Sequence, residues 1–81
     1  MATERRPVIS GVALRRARLR KGWTQRQLAE ECRRLGTPVS DGNIARAERG
    51  TRGGIGVRKL PALAEALGVD VDDLLPEDLA A

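Results

Sequence analysis

The 81-residue chain has no histidine, phenylalanine or tyrosine, and only one tryptophan and one cysteine. Each absence removes a class of chemistry. Without histidine, the commonest general base and a common zinc ligand are gone. Cys32 stands alone, so it can close no intrachain disulfide and build no cysteine-rich metal site. Trp23, the one aromatic side chain, cannot furnish a base-stacking sheet of the kind that binds single-stranded RNA. No run of about 18 apolar residues is present. The opening segment MATERRPVIS lacks the apolar stretch of a signal peptide. No membrane association is expected, and a cytoplasmic location is. No nucleophile–base pair stands out. Asp70, Asp72 and Asp73 lie close in sequence but suit helix capping better than acid–base work. An enzyme is not expected, nor is any cofactor or metal.

What the chain does have is arginine, and it is unevenly placed. Residues 1–36 carry ten basic and three acidic side chains, +7. Residues 37–60 carry five and two, +3, and residues 61–81 carry six acidic and no basic ones, −6. One end can face a polyanion while the other faces away. Arginine suits phosphate and base edges because its planar fork bonds in pairs.

Periodicity predicts five short helices, no strand and one domain. Residues 1–9 read as a flexible basic arm, 10–76 as the folded domain and 77–81 as a flexible tail. Ser10 caps a first helix over 11–21, with Val12, Leu14, Ala17 and Leu19 on its inner side and Gly22 ending it. Thr24, with Gln27 three residues on, makes a capping box for a second helix from 25 to about 35. Leu28, Ala29, Cys32 and Leu35 form its apolar stripe, and Gly36 and Pro38 break it. Ser40 caps a third helix, about 40–49, with Asp41 at its positive end, Ile44 and Ala47 inward and Gly50 as its stop. The glycine-rich run over 50–56 is a loop. A fourth helix begins near Leu60, with Pro61 in its first turn and Leu63, Ala64 and Leu67 inward. Asp70 caps a fifth, short helix stopped by Pro76. Trp23 is expected as a lid on the core and Cys32 as a small buried apolar residue.

Three pieces carry a family resemblance: LRRARLRKGWTQRQLA, VSDGNIARAERG and LPALAEALGVDVDDLL. In this order and spacing the chain resembles the Cro and phage-repressor (XRE-type) helix-turn-helix family, from Val12 to Leu75. The resemblance implies an all-α, five-helix, lambda-repressor-like domain that binds double-stranded DNA and regulates transcription, commonly as a repressor. It implies that the third helix enters the major groove. Ser40, Asn43 and Arg46 then become base contacts, Arg46 being suited to guanine O6 and N7. Gln25, Arg26, Arg49, Arg52 and Arg58 become phosphate contacts. Arg18 and Glu48 match a structural ion pair, largely buried, whose disruption costs about 3–5 kcal/mol. Val71 and Leu74 match the dimer contacts, implying a homodimer that forms at least on DNA.

One stretch departs from the family. The sequence EECRRL separates Leu28-Ala29 from Gly36, and Thr37-Pro38 precede Val39. That spacing is longer than the family's and predicts an extended second helix and a larger turn. Asp41 and Gly42 also make a thin set of base readers. An alternative is therefore a protein-interaction module on the same fold, such as an antitoxin or regulatory adaptor with a protein partner.

Overall fold

The structure, a computed structural model, describes residues 9–50 and 54–76. Four α-helices follow in order: α1 (Gly11–Arg20), α2 (Gln25–Arg34), α3 (Asp41–Arg49) and α4 (Leu60–Leu67). A 3₁₀ turn at Val57–Lys59 leads into α4, and another at Val71–Leu74 follows it. No strand occurs among the described residues.

Side-chain caps set the helix starts. Ser10 Oγ accepts from the Ala13 amide at 3.1 Å, and Ser40 Oγ accepts from the Asn43 amide at 3.0 Å. Thr24 and Gln27 satisfy each other's backbone amides, at 3.0 and 2.8 Å. Each cap pairs an amide that a helix start leaves without an intrahelical acceptor. The stretch after Ala29 continues α2 to Arg34. There Gly36 takes φ +87°, its amide donating to Arg33 O at 2.9 Å and that of Thr37 to Cys32 O at 3.0 Å. That paired closure is a Schellman stop. α2 therefore runs on past Ala29 to Arg34, and Leu35 to Val39 form the turn before the Ser40 cap.

The expected fifth helix is shorter than a helix. Asp70 and Asp73 close a single 3₁₀ turn, and Leu75 is already extended at ψ 149°. Pro76 explains the stop, because proline disfavours the helical conformation in the residue before it.

The core joins every element. Leu14, Leu28, Cys32, Ile44, Leu63 and Leu74 have no exposed surface. α3 packs on α1 and α2, α4 packs on α2, and the last turn touches both α4 and α1. Burial pushes the Cys32 thiol up from its ordinary pKa, as suits an inert core residue.

Three expectations are corrected here. Val12 and Leu19 are 66% and 53% exposed, not on the inner side of α1. The buried side runs through Leu14, Ala17 and Arg18, and Val12 and Leu19 fall across the helix from it. Ile9, assigned to the flexible arm, is 2% exposed, and the Ser10 amide donates to Leu74 O at 2.7 Å. The remainder of the arm, residues 1–8, and the tail, 77–81, lie outside the described residues. Leu74 is corrected as a dimer contact, since its side chain is wholly enclosed in the core.

Two glycines let other backbone reach α3 closely. A methyl group at Gly11 would sit 2.4 Å from Glu48 O and 2.6 Å from Ala47 O. One at Gly54 would sit 2.8 Å from Ala47 N. Both obstacles are main chain and cannot yield without moving the helix. Gly42 differs, with nothing nearer than Ser40 Oγ at 3.8 Å. Thermal unfolding should separate these sites. Gly11→Ala should destabilise by about 1–3 kcal/mol despite alanine's helix preference, whereas Gly42→Ala should stabilise by about 0.5–1 kcal/mol. Equal shifts of the same sign would contradict the close approach at Gly11.

Candidate nucleic-acid interface

Arg18 is the one buried charged residue among those described, at 8% exposure. α1 turns it inward beside Leu14 and Ala17. Its Nε donates to Glu48 Oε2 at 2.6 Å and its Nη2 to Glu48 Oε1 at 2.9 Å, a bidentate pair. The third guanidinium nitrogen, Nη1, donates to Trp23 O at 2.8 Å. Glu48 Oε1 accepts once more, from Gln25 Nε2 at 3.0 Å. One carboxylate thus joins α1, the first residue of α2 and the last turn of α3. No buried side-chain polar atom among the described residues lacks a partner.

Electrostatics follow the geometry. Burial alone would raise the Glu48 pKa. Hydrogen bonds from Arg18 and Gln25, with the charges of Arg18 and Arg15, outweigh burial and hold it below the ordinary value. The bond to Glu48 raises the pKa of Arg18 against the opposing effect of burial. Both groups are therefore charged at neutral pH.

The expected phosphate contacts are not alike. Gln25 is half-buried and spends one amide N–H on Glu48, which orients its side chain and leaves it a second N–H. Arg26 is open, its side chain 81% exposed and only 3.9 Å from Glu30. Such a loose exterior pair gives way to a phosphate at little cost. Arg49 is exposed at the end of α3, and Arg58 is exposed in the 3₁₀ turn before α4. Arg52 lies outside the described residues.

On α3, Ser40, Asp41, Gly42 and Arg46 are exposed and Asn43 is half-buried. Asn43 and Arg46 stand one turn apart on one side of the helix, with Arg46 Nη1 3.5 Å from Asn43 Oδ1. Ser40 Oγ accepts the capping bond and keeps its own proton to donate. Behind this face, Ile44 and Ala47 are buried and fix the rotation of the helix. Val71 is half-buried in the last turn, away from Asn43 and Arg46 in sequence and bordering the core.

Lys59 was not singled out by its sequence context. Its Nζ donates to Pro38 O at 2.8 Å and ties the α2–α3 turn to the start of α4. A contact across 21 positions to a backbone carbonyl leaves no local pattern to read. Trp23 packs half-buried against the core, with Lys21 Nζ 5.5 Å from its ring centre. Among the described residues no group of acidic or cysteine side chains could hold a metal, and no helix is long and apolar enough to cross a membrane.

The Glu48 network makes a pH-dependent prediction. Because folding lowers the Glu48 pKa, its ionisation stabilises the fold above the unfolded value of about 4.3. That contribution fades as pH falls through the lowered folded value. Urea unfolding at pH 7 should show Glu48→Gln destabilised by about 3–5 kcal/mol, as one buried charge is left unpaired. The variant should also lose less stability than the native chain between pH 5 and pH 3. Parallel losses on acidification would contradict the network's role.

A family model described as helix-turn-helix matches residues 14–74, from the buried Leu14 of α1 to the buried Leu74 of the last turn. No curated protein and no solved structure matches the chain. The matched region contains all four helices after the first turn of α1, both partners of the Arg18–Glu48 pair and the whole exposed face of α3. The chain belongs to the Cro and phage-repressor (XRE-type) helix-turn-helix family, a family of DNA-binding regulators.

Proposed function

We propose that the protein is a sequence-specific regulator of transcription that lays α3 in the major groove of double-stranded DNA. One observation carries this reading. The exposed face of α3 holds Asn43 and Arg46 in contact, on a helix whose last turn is locked by Glu48 to α1 and α2. A reading helix must be held rigidly for its side chains to meet base edges in register.

Arg46 reads guanine through O6 and N7, and Asn43 reads adenine or anchors on the backbone. Ser40 donates its free hydroxyl proton to a base acceptor at the groove end. Gln25, Arg26, Arg49, Arg52 and Arg58 hold phosphates, Gln25 and Arg26 doing so at the positive end of α2. Regulation is by repression, which needs only that the bound domain occupy a promoter. The protein acts in the cytoplasm, and two copies bind half-sites about one helical turn apart. With Leu74 enclosed, Val71 is the remaining candidate at the dimer contact.

Selection of bound duplexes from a random pool should return a palindrome, and titration with salt should weaken binding steeply through counterion release. Arg46→Ala should cost about 1–3 kcal/mol and relax preference at one base position. Arg58→Ala should weaken all duplexes alike and reduce the log–log salt slope by about 1. A salt-independent affinity, or recovery of duplexes without any preference, would overturn the proposal.

A further inference from the structure

The outer face of α1 serves neither the core nor the reading of DNA proposed above. Val12 and Leu19 are 66% and 53% exposed there, two of the three large apolar side chains exposed among the described residues. Seven positions apart, they stand about two turns from one another along one line of the helix. At a helical step of about 100° per residue, Arg15 falls on one flank of that line and Arg16 and Arg20 fall on the other. All five line one shallow groove with Gly11 and Glu48. Glu48 spends three hydrogen bonds on Arg18 and Gln25, and its charge also acts on Arg15, while Arg16 and Arg20 on the other flank form no ion pair with it. The result is an apolar floor between two basic rims.

From this we infer that the α1 face docks an acidic amphipathic helix of another protein, carrying apolar side chains two turns apart with carboxylates on both flanks. Charge decides the occupant. A second copy pairing α1 with α1 would bring two sets of three arginines together, which is repulsive. A lipid surface fits poorly, because interfacial helices bury a broad face rich in Trp, Phe and Leu, whereas α1 has no aromatic and exposes only Val12 and Leu19 as large apolar side chains. An acidic helix satisfies both components: apolar contact over Val12 and Leu19, and bidentate carboxylate contacts to Arg15, Arg16 and Arg20. Asp73 of the same chain already lines a crevice with Arg16 and Arg20, so a carboxylate is compatible with that flank. The inference does not depend on the DNA reading, since Asn43 and Arg46 lie on α3.

The test is an NMR titration of the full chain with a synthetic peptide. Its leucines recur at helical spacing and its other positions are glutamate. A scrambled peptide of the same composition is the control. Saturable shift changes should centre on Val12, Arg15, Arg16, Leu19 and Arg20, and Leu19→Ser should weaken binding about tenfold while leaving DNA affinity unchanged. The inference fails if the scrambled peptide binds equally, or if no saturable change appears on α1. It also fails if the α1 signals move with protein concentration alone, which would make the occupant a second copy. Equal α1 shifts with phosphatidylserine vesicles would make the occupant a lipid surface. A matching loss of DNA affinity in Leu19→Ser would assign the face to DNA.

Discussion

The Glu48 carboxylate and the three N–H groups aimed at it determine how this small domain is put together. Two of the donors come from Arg18 and one from Gln25. A charged arginine at 8% exposure is tolerable only because a carboxylate meets it and its Nη1 donates to Trp23 O. The same contacts fix where α3 ends relative to α1 and the start of α2. Gly11 permits that geometry, since any side chain there would strike the carbonyls of Ala47 and Glu48. Backbone contact and ion pair thus hold the same turn of α3. Of the candidate base readers, Arg46 lies in that same turn, Asn43 about one turn before it and Ser40 at the helix start.

Much of this was legible in the sequence, for local reasons. Ser10, Thr24 with Gln27, and Ser40 are capping residues whose hydrogen bonds span three positions, and the structure uses each of them. The all-α class followed from helical spacing of Leu, Ala and Ile. Errors arose where one residue's fate was decided elsewhere in the chain. Leu19 looked like core, but the inward position beside it belongs to Arg18, whose partner lies 30 residues away. Ile9 looked like part of an arm until the last turn supplied Leu74 O for the neighbouring Ser10 amide. Leu74 looked like a surface contact for the same reason in reverse. Lys59 could not be read at all, because its acceptor is a carbonyl in the α2–α3 turn.

The stretch from Glu30 to Pro38 is built in two parts. Its first part continues α2, with Cys32 buried one turn beyond Leu28 and the exposed Arg34 paired with Glu31. Its second part passes through Gly36 and is held by Lys59. The stretch therefore does not leave the entry to α3 loose. Val39 is buried immediately before the Ser40 cap, so α3 starts from a position anchored in the core. The basic charge of the first two helices and the acidic charge of the final turn lie far apart in the sequence, yet the fold brings part of them together, for the last turn packs on α1 and Asp73 lines a crevice with Arg16 and Arg20.

The central claim is that the Glu48 network places α3, and does not merely stabilise the fold. Replacing both members of the pair by apolar residues, Arg18→Met with Glu48→Leu, separates the two roles, because such a swap often restores stability. The measurement is DNA affinity of this double variant, at a temperature where unfolding curves show it folded. The account predicts near-native stability with affinity reduced at least about tenfold, or about 1.4 kcal/mol. Native affinity in the folded double variant would contradict it.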